Sequence, residues 1–459
     1  MSQWRLRAGI LFILFSLLLC AQSALDSYTV YTDHPRLFLR PNRLRLLKRE
    51  RERRSLRWEQ FATLMSGNAP MAEPGFAWAL HYRVTGEADS AKRAIGWAVG
   101  PGTDLRQLAL VFDWCQDALS ENDRRTLTAR LQKGLETSAP PVSLSQARSR
   151  LLAAVALADH VPAASTAGVQ AFLHDYWEGR IVPALRQGHN IIPREETYAL
   201  LEALHVVRDN LNTDIRESYP AYFKGLPIYH LLSYYPASYP AAENEFHIPS
   251  ARGTAAPDLK IAALSRAAEL SMVAFDANAP ESQVLQGWLM NDRYLMRGLF
   301  GIAYEFLWAN PYQPGLSYYH VPLVFHDDMF GRLFVRSSWE DSATWLGFFD
   351  GQLQLFADGK VTILNAQLAR DPLDLEEAIV FFGKDTHKFR VPAKETDDVF
   401  IVGLEPHRKY HIEIDDEEMF EAVTDPGGIL FFPGLRGGVM LRMAPSPMGV
   451  ATGKEPTRP

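Results

Sequence analysis

Cysteine is nearly missing from this chain: two occur in 459 residues, Cys20 and Cys115. With Cys20 inside an N-terminal apolar run, Cys115 is left alone and closes no internal disulfide. No CxxC or Cys/His spacing for structural zinc is present. Cys115 sits in "LVFDWCQDAL", an apolar helical pattern, and is expected to be buried packing rather than a nucleophile. There is no Gly-rich phosphate loop, HExxH or GxSxG, so the usual phosphate-loop, zincin and nucleophile-elbow chemistries have no local signature. Positive charge is not in excess either. The formal net charge is -7, which gives no electrostatic footprint for nucleic acid. No repeat of fixed period and recurring consensus is seen.

Long apolar runs are scarce, and the one at the start is informative. Arg5 and Arg7 precede "AGILFILFSLLLC" and then "AQSA", the three parts of a secretory signal, with cleavage expected before Ala24. A membrane anchor needs about 20 apolar residues, and this run is short. A lipoprotein reading would use Cys20, but Leu19 is a poor residue before it. The expectation is a signal peptide over 1–23, a secreted or periplasmic mature chain, and no membrane association after cleavage.

The remainder is ordinary globular composition, 47% hydrophobic and 22% charged. Residues 24–310 are predicted to be all-helical. Trp58, Phe61, Ala62 and Met65 form an i, i+3, i+4, i+7 stripe, and Ser120 with Asp123 opens the next helical run as a cap. Further runs are expected near 76–84, 88–98, 104–118, 145–159, 167–187, 195–209, 258–275 and 293–307. Helical hairpins in series suggest a solenoid-like or toroidal arrangement. Residues 218–257 interrupt it with Tyr219, Tyr222, Tyr229, Tyr234, Tyr235 and Tyr239 among many prolines. Proline is expected to prevent a long helix there, leaving an aromatic segment suited to lining a pocket or simply connecting elements.

From about 319 the period becomes 2. The runs "GRLFVRSSW", "ATWLGFF", "QLQLF" and "KVTIL", then "EAIVFFG", "DVFIVGL", "KYHIEI", "GILFFPG" and "GVMLRM", predict an antiparallel β-sandwich-like domain over 311–445. A subdivision is expected near 370 and a disordered tail over 446–459. The fold class is therefore multidomain, α then β.

Chemistry-bearing residue types gather in "RQGHNIIPREETY", which carries His189, Asn190, Arg194, Glu195, Glu196 and Tyr198. An imidazole, an amide and a phenol suit proton abstraction beside a carboxylate, with the amide and a cation stabilising the enolate-like charge. The same residues also make an ordinary helix junction. His407 and His411, spaced i, i+4 in "HRKYHIEI", lack a third-ligand motif. The run "EIDDEEMFEAVTD" lacks the glycine spacing of a calcium loop and suits a solvated edge. Ten basic side chains crowd residues 36–57 against Glu50 and Glu52, either a solvated face or a field that steers an acidic polymer.

Three stretches, "DHPRLFLRPNRLRLLKRERERRSLRWEQF", "LALVFDWCQDALSENDRRTLTARL" and "DDMFGRLFVRSSWEDSATWLGFFDG", resemble the heparinase II/III-like polysaccharide lyases. The resemblance spans roughly residues 34–365. It implies an (α/α) toroid of helical hairpins followed by an antiparallel β-sandwich. It also implies β-elimination on a uronate-containing polysaccharide; no cofactor is expected, and no residues are singled out as metal ligands. In that family a base removes the C5 proton, Asn, His or Arg neutralises the carboxylate, and Tyr or His assists the leaving oxygen. His189 and Asn190 match its His/Asn element, and Tyr229 or Tyr222 is the candidate catalytic tyrosine. Arg336 matches the Arg-Ser at the sandwich entry. With Arg194, Tyr198, Gln352 and Gln354 it makes up the expected substrate-binding set. The departure lies at "FFDGQLQLFADGKV". The family's His-rich strand is replaced there by Gln352 and Gln354, which hydrogen-bond but do not titrate. The alternatives are a non-catalytic glycan-binding or structural protein of the same fold, or a toroid glycoside hydrolase. The partner is an acidic polysaccharide or oligosaccharide in the leading reading.

Overall fold

The computed structural model describes residues 28–136, 139–238, 247–253, 259–292, 296, 298–368, 371–383, 387–391, 397–416, 418–435 and 440–445. The expected signal peptide and C-terminal tail lie outside them. Among the described residues no helix is long and apolar enough to cross a membrane. Helices come first and largely antiparallel strands follow. The chain divides into two compact units, and the division does not follow the change from helix to strand.

The first unit comprises the described residues of Met1–Val182, Ala199–Ser218 and Arg297–Leu307. Its helices include Pro41–Glu52, Leu56–Ser66, Pro74–Thr85, Ala88–Val99, Leu105–Trp114, Glu121–Leu135, Leu144–Ala156, Pro162–Gln170 and Thr197–Leu211. The starts are specified locally. Ser120 Oγ accepts from the Asp123 N–H at 3.1 Å and Asp104 caps Leu105–Trp114 through Gln107, while proline occupies the first turn of several others. Trp58, Phe61 and Met65 are buried as the stripe requires.

Two of the stretches that carry the family resemblance meet in this unit. Asp113, fully buried, accepts from the Leu37 N–H at 2.8 Å and the Arg36 N–H at 3.0 Å, and pairs with His34 Nδ1 at 2.5 Å. Trp114 Nε1 donates to the Leu37 carbonyl at 2.8 Å. "DHPRLFL" and "LVFDWC" are thus halves of one buried latch, and Cys115 lies beside it with no exposure. Deeper in, Glu202 receives Arg106 at 2.6 Å and also Arg148, and Arg106 reaches Glu73 at 3.2 Å. Such buried charges persist because each carboxylate is paired and hydrogen-bonded.

The second unit comprises the described residues of Pro183–Tyr198, Tyr219–Met296 and Trp308–Pro459. It contains helices Pro220–Leu232, Leu259–Phe275 and Pro280–Asn291 and all the described strands. Strands β1 (Val324–Asp327), β2 (Arg332–Arg336), β3 (Trp345–Phe349), β4 (Gln352–Ala357) and β5 (Lys360–Leu364) form an antiparallel meander. Its two Asp-Gly turns place Asp350 and Gly351 at φ 50° and 73°, and Asp358 and Gly359 at 51° and 71°. Two successive left-handed residues are what a two-residue hairpin needs to match strand twist.

The later strands are β6 (Leu373–Asp374), β7 (Ala378–Phe382), β8 (His387–Arg390), β9 (Asp397–Val402), β10 (Lys409–Ile414), β11 (Glu418–Val423), β12 (Leu430–Leu435) and β13 (Met440–Pro445). They make two sheets ordered β12-β9-β7-β6 and β11-β10-β13-β8. β7 pairs with β9 in parallel, against the antiparallel rule elsewhere. Side chains alternate across β7. Ala378, Val380 and Phe382 pack with Leu333, Val335, Leu346 and Phe348 of the meander, whereas Ile379 and Phe381 pack with Tyr410, Ile412, Leu441 and Met443. The sheet containing β7 is therefore buried on both faces, which explains its continuous apolar runs. The far face of the meander, with Phe334, Trp345, Phe349 and Phe356, packs on Leu232 and Tyr235 at the end of Pro220–Leu232.

Several local expectations differ from the structure. A 13-residue helix runs through Pro220–Leu232 with Pro227 inside it. Proline there leaves the Phe223 carbonyl without its helical donor, and packing of the apolar face against the meander compensates. Pro280–Asn291 was not anticipated, although Pro280 stands at its first turn. In the expected helix 293–307, residues 293–295 and 297 lie outside the described set, and the described helix is Ile302–Trp308. The acidic run near 418, read as a solvated edge, is the edge strand β11, whereas β8 was not anticipated.

Candidate functional site

The second unit holds a cavity of about 240 Å³ between helix Pro220–Leu232 and the β1–β2 hairpin. Tyr219, Tyr222 and Tyr229 come from the helix side, and His326, Asp327 and Arg332 from the hairpin. The three tyrosines, spaced by three and seven residues, share one helical face. On β2, Arg332, Phe334 and Arg336 share the face turned to the helix, because alternate strand residues point the same way. Phe334 packs there with Trp345 and Tyr229, while Leu333 and Val335 enter the core between sheets.

The polar groups of the cavity are unequal. The Arg332 guanidinium lies 5.0 Å from the Tyr229 ring centroid and 3.4 Å from Asp350. Burial opposes its charge, but Tyr229, Asp350, Tyr222 and Asp327 outweigh burial and hold its pKa above the ordinary value. It is a fixed cation. Burial pushes the Tyr222 phenol well above its usual pKa, so Tyr222 remains a neutral hydrogen-bond donor or acceptor. Burial also raises Asp327. His326 Nε2 is engaged with Asp425 Oδ2 at 3.0 Å. Tyr229 is half-buried, with a second guanidinium, that of Arg194, 5.8 Å from its ring centroid.

Arg194 belongs to a buried polar cluster behind Tyr229. Its Nε donates to Ser265 Oγ at 2.6 Å, another nitrogen reaches Ser233, and Nη2 meets Glu269 at 3.3 Å. Glu269 also accepts from the Tyr234 hydroxyl at 2.8 Å and pairs with His230 Nδ1 at 3.0 Å. His230 is fully buried. Burial and the Arg194 charge bring its pKa down to about 4, so the ring is neutral near pH 7. Its Nε2 has no hydrogen-bond partner among the described residues.

Of the residues anticipated from sequence, the cavity unites Tyr222 and Tyr229. His189 is exposed, and Asn190 closes a local turn by accepting the Ile192 N–H at 3.0 Å. Neither lines the cavity, though the preceding Gly188 touches its wall: a Cβ there would meet the Met329 carbonyl at 2.8 Å. Arg194 stands behind Tyr229 rather than in the cavity. Tyr198 is buried and accepts from Trp308 Nε1 at 2.9 Å. Arg336 donates to the Ser338 carbonyl at 2.7 Å and lies 4.2 Å from the Trp339 ring, where burial lowers its pKa to about 10. Gln352 accepts the Gly253 N–H at 2.7 Å. Gln354 has no exposure, accepting from the Tyr235 hydroxyl and donating to the Ala251 carbonyl, both at 2.9 Å. It is a structural clamp.

Arg332, Asp327 and the His230–Glu269 cluster were not singled out from sequence. Arg332 had one available signal, its alternation with Phe334 and Arg336. Glu269 had none, because an acid in the middle of "AAELSMV" declares neither its burial nor its partners. His407 adopts φ 53° in the turn before β10, so it does not share a strand with His411. Among the described residues no three His, Cys, Asp or Glu side chains group as a metal site. No protein-family model matches this chain, and no curated protein matches it.

Proposed function

We propose that this is a secreted carbohydrate-active protein of lyase-like architecture that binds a uronate at the Tyr222–Tyr229–Arg332 cavity and cleaves it by β-elimination. The observation carrying this reading is the buried, charge-reinforced Arg332 guanidinium beside a half-buried phenol in one cavity. The cation would neutralise the sugar carboxylate and so acidify the C5–H bond. Tyr229, acting as the phenolate, would take that proton and pass it to the leaving oxygen as the C4–O bond breaks and C4=C5 forms. Tyr222, kept neutral, would hold the sugar by hydrogen bonding. In the same reading the helical series forms an (α/α) toroid and the stacked sheets a β-sandwich, supported by helix pairs packed in sequence order and by β7's two buried faces.

The test incubates mature protein with a panel of uronate polysaccharides and follows the absorbance of the unsaturated product. Tyr229→Phe is expected to lower the rate by about 10²-fold or more, and Arg332→Gln to cost a comparable factor. Loss of product in His189→Ala or Asn190→Ala would add those residues to the site. A different class of function is favoured by Gln354, whose clamp role means that β4 brings no acid or base. That reading is a non-catalytic glycan-binding protein, and saturable binding without unsaturated product or new reducing ends would establish it. New reducing ends without unsaturation would indicate hydrolysis and overturn both.

A further inference from the structure

The first unit contains an unusual element beside a second cavity. Residues Ala171–Ile181 form a π-helix, continued at its end by the Val182 N–H bonding to the Trp177 carbonyl five residues back. Such bonding is rare over this length and is commonly retained where it serves a function. It has a geometric consequence here. In an α-helix at 3.6 residues per turn, Ala171 and Arg180 would point to opposite sides, because nine residues make about two and a half turns. With i→i+5 bonding, residues four or five apart fall into one row. Ala171, Asp175, Tyr176 and Arg180 all line the same cavity.

That cavity measures about 460 Å³, within the size range of small-molecule sites. Leu135, Pro140, Pro141 and Phe172 give it apolar walls. Gly168 also lines it, and a Cβ there would come within 2.7 Å of Ala154 Cβ. Two guanidiniums, Arg150 and Arg180, and one carboxylate, Asp175, line the cavity. Arg150 donates to the Ala139 carbonyl and Arg180 to the Pro141 carbonyl, each at 2.8 Å, and Arg180 lies 5.4 Å from the Tyr176 ring centroid. Those bonds orient the two forks and use a fraction of five donors apiece.

We infer that the π-helix builds a binding site for a small organic anion with a flat apolar body, such as an aromatic carboxylate, separate from the Tyr229 cavity. The apolar walls take the body, and the Arg150 and Arg180 forks take the acid group. Neither depends on the lyase reading.

The experiment titrates the full mature chain with naphthalene-2-carboxylate by calorimetry, and with the uncharged naphthalene-2-methanol for comparison. One site per chain is expected, with the alcohol at least tenfold weaker. Arg150→Gln combined with Arg180→Gln should weaken carboxylate binding at least tenfold while leaving the alcohol unchanged. Ala171→Trp, which fills the row from an exposed position, should abolish both. Circular dichroism checks that each variant is folded. Absence of saturable binding to wild type, equal affinity for acid and alcohol, or undiminished binding in folded Ala171→Trp would each overturn the inference.

Discussion

At Asp113 a single side chain closes two sequence-distant segments into one latch. Replacing it by Ala would leave the buried N–H groups of Arg36 and Leu37 without acceptors and remove the partner of His34 Nδ1. The expected cost is about 3 kcal/mol or more in urea unfolding, and Asp113→Asn, which keeps one acceptor oxygen, should lose less. An Ala variant as stable as wild type would show that the latch is dispensable. Cys115, next to it, is pushed by burial well above the ordinary thiol range. Both sides of this residue pair were half legible: the apolar setting of Cys115 declared its burial, whereas the acceptor role of Asp113 needed residues 34–37 to be brought beside it.

Among the elements, the meander shows how local rules and close approach differ in strength. Gly351 has φ 73° and open space where a Cβ would stand, so Gly351→Ala should cost only the left-handed backbone penalty, about 1 kcal/mol. Gly331 has φ 62°, but its Cβ would fall 1.9 Å from the Gly427 nitrogen, in a neighbouring turn. Gly331→Ala should be several times more destabilising, and comparison of the two thermal midpoints checks it. The Asp-Gly turns were legible because two residues specify them. The Gly331–Gly427 contact was not, because it joins turns nearly a hundred residues apart. The helix through Pro227 was hidden for a related reason: propensity forbids it locally, and packing against Phe325 and Phe334 supports it.

Across the molecule, the buried His230 and the partly buried His34 respond to pH in opposite senses. His230 titrates near 4 in the folded protein and near 6.5 when unfolded, so the unfolded chain binds the extra proton between those values. Its contribution is complete above pH 6.5 and is lost as pH falls toward 4, by about 3 kcal/mol in the limit. Glu269 adds to this. Burial raises its pKa, but His230, Arg266 and Arg194 outweigh burial and lower it, so its stabilisation also fades in acid. For His34, burial lowers the pKa while the bonds to Asp113 and Asp159 outweigh burial and raise it. That contribution is full below pH 6.5 and lost as pH climbs through the raised value. The thermal midpoint of the second unit should therefore fall between pH 6.5 and 4.5, and His230→Gln should flatten that fall. An unchanged slope in the variant would remove His230 as its source.

Sequence alone determined the order of helices then strands, the hairpin turns, most helix starts and the burial of Cys115, because each depends on periodicity or on a few adjacent residues. The family resemblance singled out Tyr222 and Tyr229 as alternative catalytic tyrosines, while the aromatic segment that carries them read equally as a pocket lining or a connection. Tertiary structure alone decided that Arg332 joins them, that Arg194 supports Tyr229 from behind, and that Gln354 is a clamp. Those roles depend on which distant groups share a low-dielectric interior, and burial and charge pairing are properties of the folded neighbourhood rather than of the residue.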